Sequence, residues 1–401
     1  MAEAITVDEA LRLVLERVKP LAAERVPIER AFGRVLAEPA EAACDLPPFP
    51  SSAMDGYAVR AHDTSSAPIR LALGGRIAAG APATSPLAPG QAMAISTGGV
   101  VPDGADAVVQ LELARELVGA VELESPVRSG TNVRPRGGDV GSGDVVLQPG
   151  VRLGASQVGA LAAAGVSEVR CAKRPRAGIL VTGNELRAPG QPLEPGQIYE
   201  SNGLMLAAQL TSAGAVPAQL GVVGDSEEEH RTAMERALLG FDLLVTTGGA
   251  SVGPHDLVRR VQAQLRVEEV FWGVAVKPGR PVAFGMRREH PVFTLPGNPV
   301  SALVCFELFV RPAIAALQGI SDPRPRFAFG RLARAVRRNA ERDEFVRART
   351  AATGDAMVLE PVSGQESHMI VSAAQADALV LVPRGAGELP AGDDVRFLPL
   401  G

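Results

Sequence analysis

Residues 243–253 read LLVTTGGASVG. Five apolar or β-branched residues ended by a glycine pair describe a strand buried on both faces that stops at a tight turn. Residues 177–185, AGILVTGNE, repeat the pattern, an apolar run closed by Gly183 and the polar pair Asn184-Glu185. A further strand is expected over 216–223, running out just before Asp225, and short strands over 282–285 and 292–295. Helical segments lie between them. Residues 203–212 end at Gly214; a capping box at Ser226-Glu-Glu-Glu229 opens a helix to about Leu239; another helix covers 256–265. Residues 299–317 form a long apolar helix in which Pro312 should cause a kink or break. Apolar strands alternating with helices predict a parallel, doubly wound α/β sheet.

The texture changes on either side. At the N-terminus, Thr6-Val-Asp-Glu9 is a capping box followed by an apolar stripe through Ala10, Leu11, Val14, Leu15 and Val18, one face of a helix. From Cys44 to Gly150, glycine and proline recur every few residues around short apolar runs at 69–73, 105–109 and 118–123, which describes a β-rich segment. A helix over 156–164 ends at Gly165, and Lys173-Arg-Pro-Arg176 reads as a linker. Past Pro323 short strands return at 347–350, 357–361, 378–383 and 394–398, which suits a small all-β domain or barrel.

With 401 residues, 46% hydrophobic and 21% charged, the chain should form two to four globular units. A net charge of -5 gives no electrostatic case for nucleic-acid binding. Cys44, Cys171 and Cys305 are far apart, which excludes a C-x-x-C metal site or disulfide framework and fits reduced thiols. The first residues lack a basic-then-apolar leader, and no apolar stretch is read as long enough to cross a bilayer. A soluble, cytoplasmic protein is expected, with neither nucleic acid nor membrane as partner.

Ligands of open α/β sheets bind outside the carboxyl ends of the strands. There this chain places Gly183-Asn184-Glu185, Asp225, Gly248-Gly249-Ala-Ser251-Val-Gly253 with Asp256 close behind, and Pro296-Gly297-Asn298-Pro299. Glycines at strand ends let backbone approach a phosphate, and following helices present free N–H groups. Acids beside such a cradle repel an anion unless a cation intervenes, and hard oxygen ligands with phosphates imply Mg²⁺. Lys277 and Arg280 in KPGRP add positive charge. The competing reading makes these glycines turn punctuation and the acids helix caps. GASVG also matches a G-x-S-x-G nucleophile elbow, which would need a histidine such as His290 or His368; Gly248 in front makes the turn less like an elbow. Composition alone assigns Asp55, Thr97, Arg134, Arg136 and Asp139 to surface turns.

The segments SSAMDGYAVR, STGGVVPDGADAVV, NVRPRGGDV, VTGNEL, TTGGASVGPHD, VKPGRP and LPGNPVSA stand in this order along the chain. In that order the chain resembles the molybdopterin molybdenumtransferase family, to which the C-terminal module of gephyrin is related. The resemblance spans essentially the whole chain. It implies an elongated dimerisation domain (1–45 with 147–173), an inserted β-rich domain (46–146), an α/β molybdopterin-binding domain (174–322) and a C-terminal β-barrel (323–401). It implies insertion of molybdate into adenylyl-molybdopterin with release of AMP, in a homodimer making transient contact with the adenylyltransferase and with cofactor-receiving enzymes. Carried over by motif, the catalytic residues are Asp55, Thr97, Asp139, Glu185, Asp225, Asp256 and Lys277. Substrate binding falls to Arg134, Arg136, Gly248, Gly249, Ser251, Gly253, Arg280, Pro296, Gly297, Asn298, Pro299, Arg347 and Ser367, and Mg²⁺ to Glu185, Asp225 and Asp256. Here Ser251 cradles phosphate and is not a nucleophile. Many relatives have Asp where this chain has Asn184, and some have Lys in place of Gly273; both departures remove charge near the anion site. A tungstate-inserting paralogue and a gephyrin-like scaffold binding partner peptides are the alternatives. The adenylyltransferase that makes the substrate shares the α/β domain, but usually reads GGTG after the strand, where this chain has GGASVG.

Overall fold

The structure, a computed structural model, describes residues 4–224, 226–249, 257–354 and 356–400, the side chains of Thr353 and Ala356 excepted. Its centre is a six-stranded sheet in the order Val216–Val223, Arg176–Thr182, Leu243–Thr247, His290–Leu295, Ala283–Arg287, Glu268–Trp272. The first four strands run parallel. Helices Asn202–Ser212 and Glu227–Gly240 carry the chain between them, and Ser226 caps the second by accepting the Glu229 N–H. From strand Arg176–Thr182 the chain winds first to one neighbour, then back across to Leu243–Thr247. At such a reversal, here between the strands that end at Gly183 and Gly248, open α/β sheets bind ligands in a crevice at the carboxyl ends.

The last two strands are antiparallel, so the sheet is mixed where a purely parallel one is expected. The cause is local. Ala283–Arg287 and His290–Leu295 are joined through Arg288-Glu289, with Arg288 at φ 57°, a hairpin turn far too short for a parallel crossover. Strand Glu268–Trp272 then covers the edge; its leading glutamates hid it from the sequence reading, and they pair outward with Arg17 and Arg259.

Residues Pro299–Leu317 run as one helix despite Pro312. A wide π-turn over Phe306–Val310 precedes the proline and absorbs its missing N–H and ring bulk without a break. By length and composition this helix could cross a bilayer, which corrects the expectation that no segment could; 83% of its apolar window is buried inside the protein, as a core helix. The N-terminal helix Val7–Arg17, begun by Thr6 Oγ1 accepting the Glu9 N–H at 3.1 Å, packs Ala10 and Val14 into this same core. Ile5 bridges to Val274. Grouped by sequence with the elongated unit, this helix shares the core of the α/β unit instead.

The rest of the elongated unit pairs Ala23–Pro27 with Glu168–Ala172 and Ala40–Glu41 with Val145–Leu147, around Leu36, Leu153 and Leu161. Between these pairs sits a six-stranded half-barrel ordered Ala107–Gln110, Gly56–Val59, Gln91–Ile95, Ile69–Ile77, Ala120–Leu123, Ala114–Leu117. Its strand Gly56–Val59 is buried on both faces: Tyr57 and Val59 enter one core, and Ala58 enters another with Ile77 and Met93. The C-terminal strands Ala328–Leu332, Asp343–Thr353, Ala356–Pro361, Ala378–Val382 and Asp394–Pro399 close into a barrel, because Asp343–Thr353 pairs on both its edges.

Candidate active site

Gly248 closes the crevice from one side. Its φ is +87°, and a Cβ there would lie 2.2 Å from the Thr182 carbonyl oxygen, so only glycine lets the two strand ends meet. Gly249 follows at φ +65°. Across the crevice the exposed Glu185 folds back over the strand end, its carboxylate oxygens 2.7 Å from where a Gly183 Cβ would stand. Gly297 packs against the Gly248 backbone from the third strand end. Buried Asn202 ties these loops together: its Nδ2 donates to Thr247 Oγ1 at 3.0 Å and to the Gly297 carbonyl at 2.8 Å, and Thr247 Oγ1 donates to the Pro296 carbonyl at 3.0 Å. Among the described residues Asn202 Oδ1 and Thr182 Oγ1 are buried with no hydrogen-bond partner. An unpaired buried polar atom costs about 1–3 kcal/mol, which a bound ligand would relieve.

The barrel joins the crevice at the helix that starts with Pro299. Asn298 donates through Nδ2 to Ser367 Oγ at 2.9 Å, and the Val300 N–H donates to the Ser367 carbonyl at 3.1 Å. Arg347 is only 1% exposed. Its guanidinium donates to Gln365 Oε1 (3.3 Å) and to the carbonyls of Met369 (3.1 Å), Gly364 (2.7 Å) and Glu366 (3.3 Å). Burial pulls it below the usual arginine range, with Glu366 opposing. Arg347, a substrate-binding position by resemblance, thereby shapes the 362–369 loop that presents Ser367.

Lys277 sits where the α/β unit meets the barrel, on the short strand Val276–Lys277 parallel to Asp343 and Glu344. Its Nζ is 2.9 Å from Glu344 Oε1, so the positive charge it adds there is paired with a carboxylate. The following turn packs on the same helix, Cys305 Sγ donating to the Gly279 carbonyl at 3.5 Å, and Arg280 is exposed.

A second polar cluster forms at one end of the half-barrel, where three sequence-distant turns are stitched by backbone. The Gly98 N–H donates to the Ser52 carbonyl, the Ser52 N–H to the Gly99 carbonyl, and the Ala53 N–H to the Asn132 carbonyl. Val133–Arg134 pairs with Ser51–Ser52. Asp55 Oδ1 accepts the Thr97 N–H at 2.6 Å and Thr97 Oγ1 at 3.0 Å. The Thr97 backbone bond, then its hydroxyl, holds the Asp55 carboxyl below the ordinary aspartate range. What this contributes to stability is present above the ordinary aspartate pKa and lost as pH falls through the lowered one. Thr97→Val removes the smaller of the two causes. Asp55 should then titrate higher than in the parent, yet still below an ordinary aspartate; an unmoved carboxyl in a side-chain NMR titration would contradict the contact. Asp139 is exposed, with its N–H on the Leu46 carbonyl. Arg136 is exposed and paired through Nε with Asp45 Oδ2 at 2.5 Å. Arg134 is exposed.

Asp225, Ser251, Gly253 and Asp256 lie outside the described residues. Among the described residues no group of three His, Cys, Asp or Glu is placed to hold a metal; Glu185 is the one described member of the expected Mg²⁺ set. His290, the histidine a hydrolase could use, starts its strand, with Nδ1 3.0 Å from the Phe241 carbonyl, at the end opposite Gly248.

Three family models match in sequence: the MoeA N-terminal region, domains I and II, over residues 5–165; the probable molybdopterin binding domain over 178–316; and the MoeA C-terminal region, domain IV, over 330–400. The chain is 35% identical over 402 residues to the molybdopterin molybdenumtransferase of Bacillus subtilis, covering 98% of this chain and 94% of that one. With the Haemophilus influenzae enzyme of the same name it shares 33% over 400 residues, covering 98% of each. The chain belongs to the molybdopterin molybdenumtransferase family. The molybdopterin biosynthesis MoeA protein of Pyrococcus horikoshii superposes with a TM-score of 0.86 at 30% identity, over 99% of this chain and all of that one.

Within this family fold, sequence reasoning missed Asn202 and Glu200. Glu200 Oε1 accepts the Gly203 N–H at 2.6 Å and so fixes the start of the helix that places Asn202. The signal was weak: a glutamate one residue ahead of the N-cap Ser201 places negative charge at the helix start. Gln365, which accepts from Arg347 and donates back to its carbonyl at 2.9 Å, had no signal at all.

Proposed function

We propose that this chain completes the molybdenum cofactor by inserting molybdate into adenylyl-molybdopterin, releasing AMP. The observation that carries the proposal is the meeting of three glycine-bearing strand ends, Gly183, Gly248 and Gly297, with Ser367 of the barrel at the switch point of the sheet. Backbone N–H groups there suit a phosphate, and Asn202 and Thr182 offer buried polar atoms to the rest of the ligand. The curated relatives are named as molybdenumtransferases, which favours molybdate over tungstate and an enzyme over a gephyrin-like scaffold.

Glu185 is an exposed hard oxygen donor beside this cradle, of the type Mg²⁺ takes. With Asp225 and Asp256 it would hold that ion, which when bound screens phosphate charge. Lys277 and Ser367 then frame the oxyanion. Lys277 must leave or share Glu344 to do so, which makes its ion pair a brake on empty-site affinity. Lys277→Gln should raise the molybdate KM about tenfold, the value of one charge-assisted hydrogen bond, with a smaller change in kcat. An unchanged KM in steady-state assays would remove Lys277 from the oxyanion site.

The Asp55–Thr97 cluster belongs to the same chemistry only if a second chain supplies it. Among the described residues, the contacts of Asp55, Thr97 and Arg136 stay within residues 45–142. A homodimer in which one chain's half-barrel faces its partner's crevice answers this, and the family resemblance implies one. The reading keeps the protein cytoplasmic, in transient contact with the enzyme that adenylylates the pterin and with acceptors of the finished cofactor. Native mass spectrometry of protein purified from its own host tests the substrate class: a bound adenylylated pterin mass is expected, and a bound ligand of unrelated chemistry would overturn the assignment.

A further inference from the structure

Opposite the crevice lies a second cleft. Helix Asn202–Ser212 returns from the carboxyl end of strand Arg176–Thr182 to the start of Val216–Val223, and the helix begun at Pro299 ends at Leu317, so both finish at the amino edge of the parallel strands. There a cavity of about 770 Å³ opens between residues 150–152 of the elongated unit, the helix turns at Ala213 and Arg311, the connector 320–326, and the last barrel strand. That volume is in the range of small-molecule sites.

Its walls carry Arg152, Arg311, Arg324 and Arg326 against only two acids, Glu307 and Asp322, in a chain whose net charge is -5. Both acids are already occupied. Glu307 accepts from Arg311 Nε at 2.5 Å and Nη2 at 3.0 Å, and from Gln209 Nε2 at 2.8 Å. Asp322 accepts from Arg324 at 2.7 and 3.1 Å. Arg152 has no carboxylate among the described residues. Its Nη1 donates to the Gly33 carbonyl at 2.9 Å and its Nη2 to the Ala213 carbonyl at 3.5 Å, the C-cap of helix Asn202–Ser212. Two carbonyls from two units thus fix the guanidinium and leave further N–H groups unclaimed. Partial burial, then the charges of Arg311 and Arg174 beside it, pull Arg152 below the usual arginine range. Like charges gathered this way destabilise one another unless an anion sits between them.

We propose that this cleft binds a small phosphate-bearing anion, at a site separate from the strand-end crevice, through the Arg152 fork with Arg326 beside it. The planar guanidinium matches two phosphate oxygens at once, and a fixed one loses little freedom on binding. Because three units line the cleft, an occupant would tie the elongated unit, the α/β unit and the barrel together.

The probe is inorganic pyrophosphate, titrated at constant ionic strength with chloride as control and followed by hydrogen-exchange mass spectrometry. Saturable protection is expected at 150–152, 212–214 and 320–326. In the variant Arg152→Gln the apparent affinity read at those peptides should fall at least tenfold, with any protection at 182–186 and 296–299 unchanged. Arg326→Gln, at an exposed position, should weaken binding in the same direction and decides the matter if Arg152→Gln does not fold. Protection confined to the strand ends, no saturable protection, or variants that bind as the parent does would each overturn the site.

Discussion

Gly248→Ala should leave a folded protein whose kcat/KM is reduced by about a hundredfold or more, because roughly 1 Å of displacement at a reacting centre costs that much. At φ +87° an alanine is strained by about 1–2 kcal/mol, and its Cβ would stand 2.2 Å from the Thr182 carbonyl oxygen. Backbone cannot yield as a side chain can, so the ends of Arg176–Thr182 and Leu243–Thr247 must part where the substrate is to be gripped. The backbone strain alone should lower the thermal midpoint by a few degrees, roughly the effect of one to two kcal/mol in a chain of this size, and the parting of the strand ends adds to that fall. Activity within fivefold of the parent would mean that the switch point is not where the ligand binds.

The second large effect is a recovery. Asp55→Asn and Glu185→Gln should each be nearly inactive, since one disables the half-barrel cluster and the other the crevice. Unfolded together and refolded as a mixture, about half the dimers pair one of each under two-fold symmetry, and every mixed dimer has one wholly intact site. Activity should return to roughly a quarter of the parent. Sites built within single chains carry a lesion each and recover nothing. A mixture that demonstrably exchanges subunits yet stays inactive would therefore exclude the shared site.

Much of the α/β unit was legible because its signals are local. Apolar runs ended by glycine gave the parallel strands, and Ser226 and Thr6 cap helices through the side chains that mark them. What escaped depends on partners distant in sequence. Strand Glu268–Trp272 looks polar because its glutamates pair with Arg17 and Arg259 from other elements. The N-terminal helix has an apolar stripe, but nothing in the stripe says which core receives it. Charge alone is visible in a sequence; the loop carbonyls around Arg347 and Glu344 beside Lys277 are products of the fold. Pro312 promised a break that the π-turn at Phe306–Val310 absorbs. The site motifs were recognisable, but the joining of Ser367 to Asn298 required the barrel to be in place.

One assay tests molybdate insertion most directly. Purified protein is mixed with adenylyl-molybdopterin and Mg²⁺, and AMP is quantified as molybdate is added, with reconstitution of an apo-molybdoenzyme as the second readout. AMP release that rises with molybdate to saturation, with active molybdoenzyme formed in step, is the predicted result. Adenylyl-molybdopterin left intact at saturating molybdate by a folded, dimeric preparation would contradict it.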